Sequence, residues 1–237
     1  MVASTSRRIP DIEDVGKNGD KRKKINAKVG ELAVIQRKEV LLHIIGDSPL
    51  IQHAFGAKYS EDRPGAAKTP GKKKVYTDQD KLNAFKLACH LMPGKKHPVT
   101  SGSIGDSWEY KKLPKDVFGI PCSSFGNAVK YIMGQHTGIN KKTQVYAMGW
   151  MTPLTFSRLT FFEEYGRIPP RTGGRVPIWR PMFEDWSCGV IFQFDGTFVA
   201  VEDVINLVNR AGFESGVGDG RRSLTGGRSF GSFHVKI

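Results

Sequence analysis

Trp186-Ser-Cys-Gly-Val-Ile-Phe-Gln-Phe194 alternates large apolar residues with small or polar ones. Trp186, Cys188, Val190, Phe192 and Phe194 therefore share one side of an extended chain, as in a strand with one face on a core. Residues 199–211 follow at helical spacing. Val201, Val204, Ile205 and Val208 form an apolar stripe, and Gly212 stands where a helix C-cap would. The glycine-rich stretch 216–231 then leads into a closing strand over 230–235. The order is strand, helix, basic glycine loop, strand.

A second strand-to-helix unit lies mid-chain in Val117-Phe-Gly-Ile-Pro-Cys-Ser-Ser-Phe-Gly-Asn-Ala-Val-Lys130. Pro121 is expected to stop strand pairing. Ser123 or Ser124 is placed to cap the helix, with Phe125, Ala128, Val129 and Ile132 on its buried face. Upstream, Val40-Leu-Leu-His-Ile-Ile45 reads as a strand apolar on both faces, with His43 as a satisfied core histidine. Asp78 is expected to cap a helix reaching about residue 91, with Pro93-Gly94 as its stop. Short strands are expected at 108–112, 145–148 and 154–162, and irregular chain at 167–177. Two strand–helix units of related shape predict an α+β fold with a ferredoxin-like core. The organisation expected is a basic arm at 1–38, a core from 39–133 and 186–237, and a thumb-like insertion at 134–185. A segment that long between core elements is usually a functional extension.

The chain has 237 residues, 39% of them hydrophobic, enough for a real core. Thirty-six Lys and Arg against 23 Asp and Glu give a formal charge of +13. That excess points to a polyanion, nucleic acid before an anionic membrane. The longest apolar run is far too short to span a bilayer. The N-terminus is polar and lacks an apolar signal region. A cytoplasmic protein is expected, of a prokaryotic or phage-infected cell, with no membrane partner. Cys89, Cys122 and Cys188 form no CxxC pair and read as buried thiols. The six histidines show no HExxH or paired metal spacing. No metal and no cofactor are expected.

The strongest candidate site is Gly216-Val-Gly-Asp-Gly-Arg-Arg-Ser-Leu-Thr-Gly-Gly-Arg-Ser-Phe-Gly231. Glycines let backbone amides approach phosphate, and arginines add fork-shaped donors. Gly216, Gly218, Gly220, Gly226, Gly227, Arg221, Arg222 and Arg228 are the residues concerned. The loop follows a helix and opens a strand, the reverse of a dinucleotide fingerprint. Gly65 to Lys73 fails as a P-loop, with five residues between its glycines and Lys73 where Ser or Thr is needed. Lys72, Lys73 and Lys74 form a second basic loop. Arg167, Arg171 and Arg175 interleave with aromatics that include Tyr146, Trp150, Phe156, Phe161, Phe162, Tyr165 and Trp179, a composition suited to holding single strands. Asp47, Asp106 and Asp219 lie in glycine-rich turns, where turn chemistry accounts for them more simply than catalysis.

Three of these segments resemble, in order, the RAMP superfamily, the proteins that build CRISPR effector complexes. Phe118-Gly-Ile-Pro-Cys-Ser-Ser-Phe-Gly-Asn-Ala-Val129 is similar to the family's "IPGSSLKGALR" signature, with Cys122 in place of Gly and Lys130 near the place of the signature arginine. Ser48-Pro-Leu-Ile-Gln52 is similar to its early "SPL-I-G" segment. Residues 216–231 resemble its glycine-rich loop. The resemblance implies an RRM-like core with a thumb, and subunits that polymerise head to tail along RNA or single-stranded DNA, with other effector subunits as further partners. It places Ser123, Ser124 and Lys130 near the nucleic-acid backbone. The expected function is non-catalytic, sequence-independent single-strand binding in a helical homo-oligomer. The alternatives are a RAMP-type endoribonuclease and a structural virion or scaffold protein.

Overall fold

A strand that feeds one helical layer needs apolar side chains on one face only, and β1 (Arg37–Gly46) has that form. In the computed structural model, which describes residues 35–54, 75–136, 145–167, 175–225 and 229–236, Leu42 and Ile44 are buried, whereas Leu41 is 54% exposed and His43 also faces out. The expectation of a strand buried on both faces, with a core histidine, is thereby corrected. The open side of an antiparallel sheet tolerates apolar residues without covering them.

β1 lies between β9 (Ser187–Asp195) and β10 (Phe233–Val235), and β5 (Val145–Ala147) flanks β9. All pairings in this sheet, order β10-β1-β9-β5, are antiparallel. Leu42 stands opposite Val190 and Ile44 opposite Cys188, so both strands turn the same apolar rows inward. The alternation read in β9 holds, with Cys188, Val190, Phe192 and Phe194 buried.

Two helices fill the inner side. α2 (Cys122–Gln135) buries Phe125, Ala128, Val129 and Ile132. α3 (Val201–Glu214) buries Val204, Leu207, Val208 and Ala211. Each large buried side chain is worth about 1.5–3 kcal/mol in transfer from water. Val201 is 36% exposed and lies off the stripe. Gly212 is inside the helix and is not its cap, because a Cβ there would fall on the Phe233 carbonyl oxygen. The cap is Ser215, and Gly216 at φ +73° closes the turn by donating to the Ala211 carbonyl at 2.9 Å.

The remaining elements form a second sheet and its cover. β2 (Leu50–Ile51), β8 (Arg175–Glu184), β7 (Arg158–Arg167) and β3 (Ser107–Glu109) pair in that order. The β7–β8 hairpin is ten residues long on each side and runs through Pro177, which pairs with Tyr165. The irregular chain expected at 175–177 is therefore strand. α1 (Asp78–Ala88) packs on β8. Its cap is Thr77, one residue before the expected Asp78. Thr77 Oγ1 accepts from the Asp80 amide at 3.1 Å, and the Asp80 carboxylate accepts from the Thr77 amide at 3.0 Å. The helix ends at Ala88, short of Pro93-Gly94. β3 gives way at Tyr110–Lys112 to a 3₁₀ turn in place of further strand.

β4 (Gly119–Pro121) and β6 (Met151–Pro153) make a two-stranded ribbon. Pro121 itself pairs with Met151 and is the last residue of β4, so the pairing ends with it, as a proline on such an edge allows. α2 starts directly after Pro121 with no side-chain cap, so neither Ser123 nor Ser124 has the capping role expected. Cys89, Cys122 and Cys188 are free and buried. Among the described residues no helix is long and apolar enough to cross a membrane. The fold is α+β, with antiparallel sheets.

Candidate nucleic-acid interface

Residues 48–52 are apolar and extended and carry buried backbone groups that need partners. The Pro49 and Ile51 carbonyls find them in the glycine-rich segment, and the mid-chain segment is reached through the Gln52 side chain. Asp47 N donates to the Ser232 carbonyl at 2.8 Å, and the Gly231 amide donates to Pro49 O at 2.9 Å. Ser48 Oγ lies 2.7 Å from Ser232 Oγ. The Asp219 amide donates to Ile51 O at 2.8 Å. Gln52, 2% exposed, donates through Nε2 to Gly119 O at 2.8 Å and accepts from the His90 amide at 2.9 Å. Phe125 of α2 stacks edge-on against Phe233 at 5.4 Å. Residues 48–52, 118–129 and 216–233 thus meet at one junction.

The junction explains several loop glycines. Gly218 at φ +77° brings the chain so close to β2 that a Cβ would lie 2.5 Å from Ile51 O. At Gly231, φ +65°, a Cβ would fall on the Val217 carbonyl. The close approach read as serving phosphate is here made to the protein's own backbone.

The loop arginines divide in role. Arg221 is half-buried and donates to Gly218 O at 2.6 Å and Ser223 Oγ at 3.1 Å. Arg222, on the short α4 (Arg222–Thr225), is exposed. It donates to Phe213 O at 2.9 Å, and its guanidinium sits 4.9 Å over the Phe213 ring. No carboxylate partners Arg222 among the described residues.

Beneath the loop lies a paired charge network. Asp219 receives His53 Nδ1 at 3.3 Å and Arg180 Nη2 at 3.0 Å. The His53 hydrogen bond, assisted by Arg180, lowers the Asp219 carboxyl to about 2. Arg180, 8% exposed, also bonds Glu164 at 2.7 Å, while burial pulls its own pKa down. The other turn aspartates are engaged too. Asp106 accepts from the Ser103 amide at 2.7 Å, and Asp47 lies 2.6 Å from His234 Nδ1, both half-exposed.

The remaining expected site residues scatter. Ser123 and Lys130 are exposed on α2, and Ser124 is half-buried. Arg167 and Arg175 stand opposite each other at the far end of the β7–β8 hairpin. Arg175 is five residues from Arg180 on β8, about 17 Å along the strand. Lys72, Lys73, Lys74, Arg171, Gly226, Gly227 and Arg228 lie outside the described residues, as does nearly all of the 1–38 arm. Of the interleaved aromatics, Phe156, Phe161 and Trp179 are core, while Tyr146, Trp150 and Tyr165 are exposed. Sequence reasoning missed Gln52, whose buried role leaves no local signal. It also missed Phe213, which did leave one as a large aromatic off the buried stripe of α3.

No known protein family matches the chain, and no curated protein does. Among solved structures, a chain of the type III-B Cmr-beta bound to cognate target RNA, determined by cryo-EM, is similar at a TM-score of 0.43 and 12% identity. The match covers 85% of this chain and 59% of that one.

Proposed function

We propose that this protein binds single-stranded nucleic acid, RNA in the first instance, without sequence preference and as a RAMP-like subunit. The observation that carries the reading is the junction. Three short segments, distant in sequence and each similar to a RAMP motif, hydrogen-bond and pack onto one another. They do so in a chain of formal charge +13, and they display Arg222, which has no carboxylate partner among the described residues. The order β10-β1-β9-β5 with α2 and α3 between its strands supports a ferredoxin-like core. The thumb read at 134–185 would then begin only after β5, whose residues 145–147 pair with β9 in that sheet.

In this reading Arg222, Arg221 and the 216–231 loop hold phosphates, with Ser123, Ser124 and Lys130 beside them. The Lys72–Lys74 and Arg167–Arg175 groups extend the contact. Subunits assemble head to tail along the strand, a heterologous contact that does not close, in the cytoplasm and with other effector subunits as further partners.

The test is fluorescence polarisation of labelled single-stranded RNA, single-stranded DNA and duplex DNA over a salt series, with wild type beside an Arg221, Arg222 and Arg228 triple Ala variant. Tight, salt-steep single-strand binding that the variant loses is expected. Absence of binding to every strand at low salt would sink the proposal and favour a structural scaffold.

One observation favours a second reading. The half-exposed Asp47–His234 pair, at 2.6 Å, adjoins the junction and suits proton transfer in an endoribonuclease. That reading requires Asp47→Ala to abolish cleavage of a bound RNA while binding survives.

A further inference from the structure

Phe213 is an anomaly in α3. The helix buries Val204, Leu207, Val208 and Ala211, yet leaves this ring 66% exposed. A single exposed apolar side chain is ordinary on a protein surface, so what distinguishes this ring is the group seated on it. The ring is not loose, because Arg222 donates to the Phe213 carbonyl at 2.9 Å and lays its guanidinium over the ring at 4.9 Å. A cation above an aromatic face in this geometry fixes both groups.

The charge around the ring is positive. The nearest carboxylate in sequence, Glu214, is taken by Arg210 Nε at 2.6 Å and His136 Nε2 at 3.0 Å. Among the described residues no carboxylate pairs with Arg222. One nitrogen serves the Phe213 carbonyl, and among the described residues the rest of the fork meets no further acceptor. A flat apolar face next to an uncompensated guanidinium matches a nucleotide, with base on ring and phosphate on fork. A hydrophobic protein partner would instead leave the Arg222 charge unmatched at the centre of the contact.

We infer that Phe213 is a base-stacking platform, its ring taking one nucleobase of a single strand while Arg222 holds the adjoining phosphate. The inference rests on the single-strand-binding reading above and adds to it a contact with the base.

The experiment compares wild type, Phe213→Ala and Phe213→Tyr on a short labelled single-stranded RNA and on a strand of equal length and charge carrying abasic sites. Binding is read by polarisation, folding by thermal melting and self-association by sedimentation. Phe213→Ala is expected to weaken binding of the base-bearing strand about tenfold. It should leave the abasic strand within about twofold and the salt slope unchanged, since no phosphate contact is lost. Phe213→Tyr keeps a flat ring and should bind as wild type. The inference is overturned if Phe213→Ala binds both strands as wild type does, or weakens both equally. It is also overturned if the variant alters only sedimentation of the free protein, which would give the ring to a protein contact. If wild type binds neither strand, the function proposed above fails as well. Wild-type binding with no preference for bases sinks the stacking contact alone.

Discussion

Asp219 in the glycine loop holds the Arg180 guanidinium of β8 at 3.0 Å, and so ties the loop to the long hairpin. The Arg180 side chain is 10% exposed and that of Asp219 29%. An ion pair this sheltered matters chiefly when one member is removed. Asp219→Ala is expected to destabilise the protein by about 3 kcal/mol, because Arg180 would keep a buried charge facing Glu164 alone. Urea denaturation of the variant checks this, and a loss below about 1 kcal/mol would contradict it.

The same carboxyl makes the protein acid-sensitive. Its pKa falls from 3.8 in the open chain to about 2 in the fold, chiefly through the His53 hydrogen bond. The stabilisation is complete above pH 4 and is lost as pH falls toward 2, about 2 kcal/mol in all. His97 acts in a higher window. Burial lowers it from 6.5 to about 4, so the unfolded chain binds a proton there that the folded one refuses. Stability therefore also declines from pH 6.5 to 4. Melting temperatures over pH 2–7 should fall in two stages, and Asp219→Asn should shrink the lower one, to which Asp195 and Glu214 also contribute.

The Gln52 side chain ties two segments of the junction, its own and that of Gly119, to the chain at His90. Gln52→Leu leaves the Gly119 carbonyl and the His90 amide without partners, at about 1–3 kcal/mol each. A loss of about 2–5 kcal/mol in chemical denaturation is expected, together with weaker single-strand binding by the folded fraction.

Two helix glycines should respond oppositely to the same change. At Gly134 in α2 an added methyl group would meet nothing within 4 Å, so Gly134→Ala should stabilise by about 0.5–1 kcal/mol. Gly212 in α3 lies against the Phe233 carbonyl, and Gly212→Ala should destabilise by at least about 2 kcal/mol. Thermal melts of the pair decide the matter, and equal effects would show the α3–β10 approach to be looser than described.

Arg221 and Arg222 are neighbours with different duties. Arg222→Ala, at an exposed site, should lower the melting temperature less than Arg221→Ala does and reduce the salt slope of strand binding by about 1. Arg221→Ala should lower the melting temperature, because it removes the bond to the Gly218 carbonyl. Parallel melts and salt titrations separate the two.

Local periodicity carries as far as elements and their faces. The alternation in β9 and the stripes of α2 and α3 were legible because side-chain direction repeats every 2 or about 3.6 residues whatever lies opposite. Net charge was legible because it is a sum. What lies opposite was not legible. The apolar run in β1 reads as doubly buried, yet among the described residues only one side has helices on it. The loop glycines read as a phosphate site, and the sequence did not show that Gly218 and Gly231 also serve the close approach of Ile51 and Val217. Phe213 stood in the sequence as a residue off the stripe, but only the fold seats Arg222 on its ring and pairs Glu214 elsewhere. Sequence sets direction along each element. Backbone proximity and charge compensation belong to pairs of residues far apart in the chain, and only the tertiary structure brings those pairs together.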